Sequence, residues 1–256
     1  MIRFKLGVVL IGALCVAGCQ GENGDCKCDT GTIGGKDTGM DTGNKSDGGA
    51  KTAAQVLTDL LQNRRSANAY PGSPSFSDKP LTKEDLTSLA WAAQGINDPD
   101  KPTGRPDAKG LRTAPSAGAL YPIELYVSVD KVDGLAPGLY WYRPEENKLE
   151  PTAKTGALSA VIAQAALGQQ VLEQAAAIFV VTAVGARTAQ KYGNRAETYI
   201  HMEAGHLAQN IHLMSTARNL DSRPVAGFTY ANMTAALNLP ADHVPCYLIP
   251  VGNKPE

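Results

Sequence analysis

The chain carries no surplus of charge of either sign. Lys and Arg number 24 against 25 Asp and Glu over 256 residues, a net of −1. No strong field steers such a chain toward nucleic acid, and none is expected as a partner. Cysteine is scarce, with five in all. Cys26 and Cys28 are too close for easy mutual bridging and no His accompanies them, so they read as an incidental pair. Cys246 lies in an apolar stretch and reads as a small buried residue. Glu203-x-x-His206 would share a helix face. No second Glu-x-x-His completes a carboxylate di-metal site, and His201 and His212 add no such motif, so no metal is expected. Gln20 to Lys51 lacks sizeable apolar residues apart from Ile33 and Met40. It cannot bury enough surface to offset its ordering entropy and reads as a flexible spacer. The Asp-Thr-Gly triplets at Asp29, Asp37 and Asp41 lack the register of a calcium-binding repeat.

The start of the chain is more informative. Arg3 and Lys5 precede an apolar run, Leu6 to Val16, that is too short to span a bilayer as a mature helix. The run ends in Val16-Ala17-Gly18-Cys19, which resembles the lipobox of bacterial lipoproteins. Small residues fit the narrow cleft of a signal peptidase, and the Cys19 thiol would accept the lipid. Two or more lipid chains give stable anchoring. The expected product is a membrane-anchored lipoprotein facing the periplasm or the cell exterior. No twin arginine precedes the run, so export of an unfolded chain is expected, with any cofactor acquired outside. The expected layout is a signal peptide over 1–19, a linker over 20–51 and one domain over 52–256.

Within that domain, Ala53, Val56, Leu57, Leu60 and Leu61 recur at helical spacing and predict a helix ending near Arg65. Thr82-x-x-Asp85 opens a second, which Gly95 closes. Asn97 to Thr113 reads as a loop. Ile123 to Val129 alternates as a strand, Gly138 to Tyr142 is another, and a short third begins at Leu149. Leu158 to Leu167 and Val171 to Gln174 read as helical. Ala177 to Val184 has the character of a strand covered on both faces. Arg195 to Asn219 is the longest helix, and Cys246 to Val251 a last buried strand. Without a strict βαβ repeat, the class is α+β.

Three segments suggest chemistry. Arg64-Arg65-Ser66 could chelate a phosphate with two guanidiniums and a hydroxyl, although basic residues at a helix end also complement its dipole. Ala114 to Pro122 is a run of small residues before a strand; it could let a flat ligand approach the backbone, or be a plain turn. Asp221 to Phe228 contains a Pro-x-x-Gly turn. Such a turn could aim amides at a ligand edge, as a flavin needs near N5, or simply connect two helices.

The order and spacing of these segments resemble the nitroreductase-like flavoproteins, and most closely the SagB/ThcOx-type dehydrogenases. The resemblance runs from Ala53 to Gly252. It rests on Arg64-Arg65-Ser66, Leu89 to Gly95, Arg112 to Pro122, Gly138-Leu139-Tyr140, Lys191-Tyr192-Gly193 with Arg195, Glu203-Ala204-Gly205-His206 with Gln209-Asn210, Val225 to Phe228, and Pro250-Val251-Gly252. It implies a central, mainly antiparallel sheet flanked by helices, in an intertwined homodimer whose flavins lie at the subunit interface. The Arg195 to Asn219 helix would form the dimer core. It implies FMN, with Arg64 and Ser66 at the phosphate and Arg65 nearby. Ser116, Ala117, Gly118 and Ala119 would line the ribityl chain and ring. Pro224, Val225, Ala226 and Gly227 would run along the isoalloxazine, the Ala226 amide near N5.

Asn68 stands where many relatives carry Arg or Lys toward flavin N1 and O2, which implies a lower flavin potential here. Lys254 is the only candidate for the distal basic residues that cradle phosphate in typical nitroreductases. In azoline oxidases of the family a Lys-Tyr pair acts as base and relay; here the pair is Lys191-Tyr192. Alternatively, Lys191 is solvated and Tyr192 packs. The activity implied is an FMN-dependent oxidoreductase that dehydrogenates a small-molecule or peptide substrate and passes electrons to a quinone or oxygen. An NAD(P)H- or quinol-driven nitro or quinone reductase, and a non-catalytic flavin-binding lipoprotein, stand as alternatives.

Overall fold

Thr52 and Thr82 each open a helix with a reciprocal cap. Thr52 Oγ1 accepts from the Gln55 amide at 3.3 Å and Gln55 Oε1 accepts from the Thr52 amide at 2.8 Å, starting α1 (Ala53–Asn63). Thr82 and Asp85 do the same for α2 (Lys83–Gln94). The structure, a computed structural model, describes residues 50–67 and 75–255; Cys19, Cys26, Cys28 and Asn68 lie outside them. α1 ends at Asn63, short of the expected Arg65, because Arg64 turns extended while its amide still donates to Leu60 O. β1 (Leu81–Thr82) pairs in parallel with β5 (Val132–Asp133). The stretch expected to be all loop, Asn97 to Thr113, overlaps a short antiparallel pair, β2 (Ile96–Asp98) and β3 (Leu111–Arg112).

The main sheet has six strands: β4 (Ile123–Val129), β6 (Gly138–Arg143), β7 (Lys148–Thr155), β8 (Ala177–Ala183), β9 (Leu220–Ser222) and β10 (Val244–Asn253). Their order is β7-β6-β4-β8-β10-β9, and every neighbouring pair is antiparallel. β7 is eight residues long rather than a short strand, because it pairs along its length with β6. The helices that follow are α3 (Ser159–Ala165), α4 (Gln170–Glu173), α5 (Gly185–Tyr192), α6 (Ala196–Ala217) and α7 (Tyr230–Leu237).

Alternation along the central strands divides the core into two layers. On one face Ile123, Leu125, Val127, Phe179, Val181 and Ile249 pack on Leu86 and Leu89 of α2 and on Ala204, Leu207 and Ile211 of α6. On the other, Tyr126, Ile178, Val180 and Leu248 pack on α3, α4 and α7 through Ile162, Leu172 and Met233. All seven residues of β8 are buried, as expected of a strand covered on both sides. α1 stands apart. It buries no residue, and Val56, Leu57 and Leu61 of its apolar side are 44%, 50% and 54% exposed. No helix among the described residues is long and apolar enough to cross a membrane.

Candidate active site

The end of α1 runs into the far edge of the sheet. Ser66 forms a parallel bridge with Ser222 of β9, and the Ala67 amide donates to Ser222 O at 3.0 Å. Arg64 is half-buried and has no side-chain partner among the described residues. Arg65 instead turns back, donating from Nη1 to Gln62 O at 2.6 Å and Arg64 O at 2.8 Å. It therefore satisfies carbonyls at the helix end, the dipole-complementing role left open above. Arg223 takes a place near Ser66 through a 3.4 Å contact from Nη1 to Ala67 O. Lys254 is paired with Asn219 Oδ1 at 2.8 Å.

Behind this corner lies His212 of α6, 4% exposed, with Nδ1 2.6 Å from Ser222 Oγ. Burial, aided by the positive charge of Arg64, pushes its pKa down to about 4. His212 is therefore neutral in the fold and adds no charge at neutral pH. Its folded pKa lies below the ordinary 6.5, so its contribution to stability is complete above pH 6.5 and is lost as pH falls through 4. Urea unfolding of His212→Gln should lose up to about 3 kcal/mol less than wild type across that window. Equal acid losses in the two proteins would contradict the burial argument.

The second cluster is the loop before β4. Ser116 Oγ accepts from the Tyr121 amide at 2.9 Å, closing a turn in which Gly118, Ala119 and Tyr121 have φ of 62°, 51° and 45°. A left-handed backbone at Ala119 and Tyr121 costs roughly 1–2 kcal/mol per residue and persists only when its surroundings fix it. Here the Arg112 amide donates to Tyr121 Oη at 3.1 Å, and Arg105 and Arg187 donate to Tyr121 O at 2.9 and 3.3 Å. Gly118 meets the chain again from a distance. A β-carbon at that position would fall 2.9 Å from the Tyr192 hydroxyl and 3.0 Å from Lys191 Nζ. The fold thus brings Lys191-Tyr192, at the end of α5, onto the Ser116–Ala119 loop. Tyr192 packs edge-on against Tyr199, and Lys191 is exposed.

The third segment leaves β9 toward α7. Val225 exchanges both backbone hydrogen bonds with Leu248, at 2.8 and 2.9 Å. Pro224 is half-buried, and Ala226 and Gly227 emerge exposed, their amides donating to no group among the described residues. Gly227 O is held by Gln169 Nε2 at 3.0 Å. An apolar cleft of about 500 Å³ lies beyond, between Gly193 and Ile200 on one side and Tyr230, Val244 and Cys246 on the other. Burial pushes the Cys246 thiol up to about 12, and it donates to Val181 O.

Two of the three candidate segments are thereby set along α6, while Pro224 to Gly227 is held by β10 and Gln169. One lies over His212 and the other over Glu203. Nine residues of helix separate these two positions, about 13 Å. Glu203 is 2% exposed whereas His206 is exposed, its Nδ1 3.4 Å from Pro115 O, so this pair faces different surroundings.

Residues 63–253 match the nitroreductase family. The chain belongs to that family. A nitroreductase homologue from Methanocaldococcus jannaschii is 36% identical over 200 residues, covering 78% of this chain and 92% of its own. A nitroreductase homologue from Anabaena variabilis aligns in structure at a TM-score of 0.64 with 27% identity, over 78% of this chain. This chain spans 38% of the length of that one. Another from Ralstonia eutropha aligns at 0.63 with 25% identity, over 78% of this chain and 83% of its own. Membership makes the chain an oxidoreductase of a flavin-dependent family.

Proposed function

We propose that this nitroreductase-family protein is an FMN-dependent dehydrogenase of the SagB/ThcOx type. The observation that carries the reading is the closure of Lys191 Nζ and Tyr192 Oη on Gly118. It sets an amine and a hydroxyl beside a loop of small residues that suits a flat ligand.

The residues present fit FMN. Arg64, whose guanidinium is uncommitted among the described residues, would hold the phosphate with Arg223 and Ser66. Arg65 is spent on the helix end. Ser116 to Ala119 would lie along the ribityl chain and ring, and the exposed Ala226 and Gly227 amides offer donors at a ring edge. FMN held there would supply a two-electron acceptor for hydride that can be reoxidised in one- or two-electron steps. The chain's own part is the proton. Lys191 removes it from the substrate heteroatom as the neighbouring C–H bond gives up its hydride, and Tyr192 relays it to solvent. A quinone or oxygen would serve as the final electron acceptor.

The two clusters lie about 13 Å apart along α6. Together with the exposed apolar side of α1 and Met202 of α6, this favours a homodimer in which each site draws on two chains. Cys19 would tether the protein outside the cytoplasm, where reduced nicotinamides are scarce, favouring a small-molecule or peptide substrate over NAD(P)H.

The test is the visible spectrum of the full-length protein purified in detergent, with and without added FMN. A yellow protein is expected. Arg64→Ala should weaken FMN binding about 10- to 100-fold, the value of one charge-assisted contact of about 1.5–3 kcal/mol. A colourless protein that refuses FMN would defeat the reading. Rapid bleaching of bound flavin by NADPH would favour a nitro or quinone reductase instead.

A further inference from the structure

The Lys191-Tyr192 pair stands on a weak helix. α5 has eight residues, no side-chain cap at its start and one buried side chain, Thr188. A helix so short has little stability of its own and takes its orientation from tertiary contacts. Its start is tied to the chain before β4, where the Val184 amide donates to Pro122 O at 2.8 Å. The next tie is Arg187. Residues four apart share a helix face, so Arg187 and Lys191 lie on one side of α5.

Arg187 Nη1 donates to Glu124 Oε1 at 2.5 Å and to Tyr121 O at 3.3 Å. Glu124 is fixed in turn by the sheet. Its other oxygen, Oε2, accepts from Trp141 Nε1 at 3.0 Å, and its carbonyl accepts from Thr182 Oγ1 at 3.0 Å. The Trp141 ring is itself packed, its centre 5.9 Å from that of Tyr126 and 4.3 Å from the Arg143 guanidinium. The Arg187 and Glu124 side chains are 22% and 14% exposed. The pair is therefore shielded from much of the screening that makes a surface ion pair weak.

Two points of the 116–121 loop thus meet one face of α5. Tyr121 O meets Arg187, and Gly118 meets Lys191. Arg105 also donates to Tyr121 O, at 2.9 Å, but its other nitrogens are bound to Asp107 and it makes no hydrogen bond to α5 among the described residues. It holds the loop and leaves the helix to Arg187. We infer that Arg187 is a positioning residue, whose guanidinium locks the Lys191-Tyr192 end of α5 against the 116–121 loop through Glu124 and Tyr121 O. The functional meaning of that lock rests on the dehydrogenase reading, but the lock itself does not.

Amide hydrogen exchange on the full-length protein, read by mass spectrometry without FMN, tests it. Arg187→Met keeps much of the apolar stem and removes both hydrogen bonds. Exchange of the Ala189 to Gly193 amides should rise roughly tenfold or more, while the β8 amides keep their protection. Arg187→Lys keeps a cation with several donors and should lie closer to wild type. Arg105→Met should loosen the 116–121 amides and leave α5 protected. Glu124→Gln weakens the lock from the sheet side and should loosen α5 in the same sense, so the test survives if Arg187→Met does not fold. A 3-fluorotyrosine introduced at Tyr192 gives a reading that a purely stabilising role would not move. Its fluorine resonance should broaden or split in Arg187→Met well below the unfolding transition. Unchanged α5 exchange in Arg187→Met, an equal rise in α5 and β8, or an unaltered fluorine line would overturn the lock. A loosened α5 in a protein that never takes up FMN would leave the lock standing and sink only the flavin reading.

Discussion

Arg112→Met is expected to destabilise the fold by about 1–3 kcal/mol at pH 8, and by clearly less at pH 5.5. The Arg112 side chain is only 7% exposed. Its contacts are the Gln94 amide oxygen, the Tyr121 ring and, at 3.5 Å, Glu145 Oε1. Methionine fills much of the volume, so the loss is electrostatic rather than a cavity. Removing the guanidinium leaves Gln94 Oε1 without its donor, and it takes away a positive charge that opposes the raised pKa of Glu203. A carboxyl can escape that penalty by taking up a proton, which sets the sign of the pH effect. The Glu203 pKa in the fold, about 7, lies above its ordinary 4.5. Stability from this group is therefore complete below pH 4.5 and is lost as pH rises through 7. Removing Arg112 lifts the folded pKa further and extends the loss to higher pH. Urea unfolding at the two pH values would read it directly. An equal cost at pH 5.5 and pH 8 would show that Glu203 and Arg112 are not coupled.

This pair also marks the limit of what the sequence discloses. Long elements with a strong period were legible. β4 alternates, β8 is an apolar run broken only by Thr182, α2 announces its cap at Thr82, and α6 repeats apolar residues over six turns. α5 and α7 were not, because each is only eight residues long and α5 has almost no apolar side chain larger than alanine, so both depend on tertiary contacts for their helicity. β9 is three residues long and exists only as an edge partner of β10. At the site, the sequence located the loop, the Pro-x-x-Gly turn and the Lys-Tyr pair as separate segments. That Lys191 and Tyr192 arrive at Gly118 depends on α5, which no local pattern gave. Arg223 was given no role within the Asp221 to Phe228 segment, and Glu203 was weighed only as half of a Glu-x-x-His metal motif. Glu203 carried a signal, since it stands in register with Ile200, Leu207 and Ile211 on the buried stripe of α6. A lone acid there is costly to bury, and the polar groups around it lie on segments remote in sequence. Arg65 was the opposite case. It looked like a ligand by adjacency, but the extended turn at Arg64 sends the two side chains different ways.

Phe179→Ala should cost about 3–5 kcal/mol, the usual penalty for emptying a fully buried aromatic site. For a domain of this size that lowers Tm by roughly 6–20 °C. Phe179 is 0% exposed in the middle of β8, opposite Val127 of β4 on one side and Ile249 of β10 on the other, beneath α2 and α6. Both neighbours lead toward the site. β4 begins just after the Ser116 loop, and β10 holds Val225 through Leu248. The effect on the site should nonetheless be small below the transition. The bonds that shape the 116–121 loop come from Arg105, Arg112 and Arg187, and Val225 is fixed by main-chain pairing, none of which needs the Phe179 ring. Calorimetry with and without FMN would separate the two quantities. Tm should fall while the FMN-induced rise in Tm stays close to wild type, because ligand stabilisation depends on affinity and concentration rather than on core packing. A folded Phe179→Ala protein that no longer bound FMN would mean that core and site are mechanically one unit. The opposite result places stability at the centre of the sheet and leaves the chemistry to the loops at its ends, held by their own polar contacts.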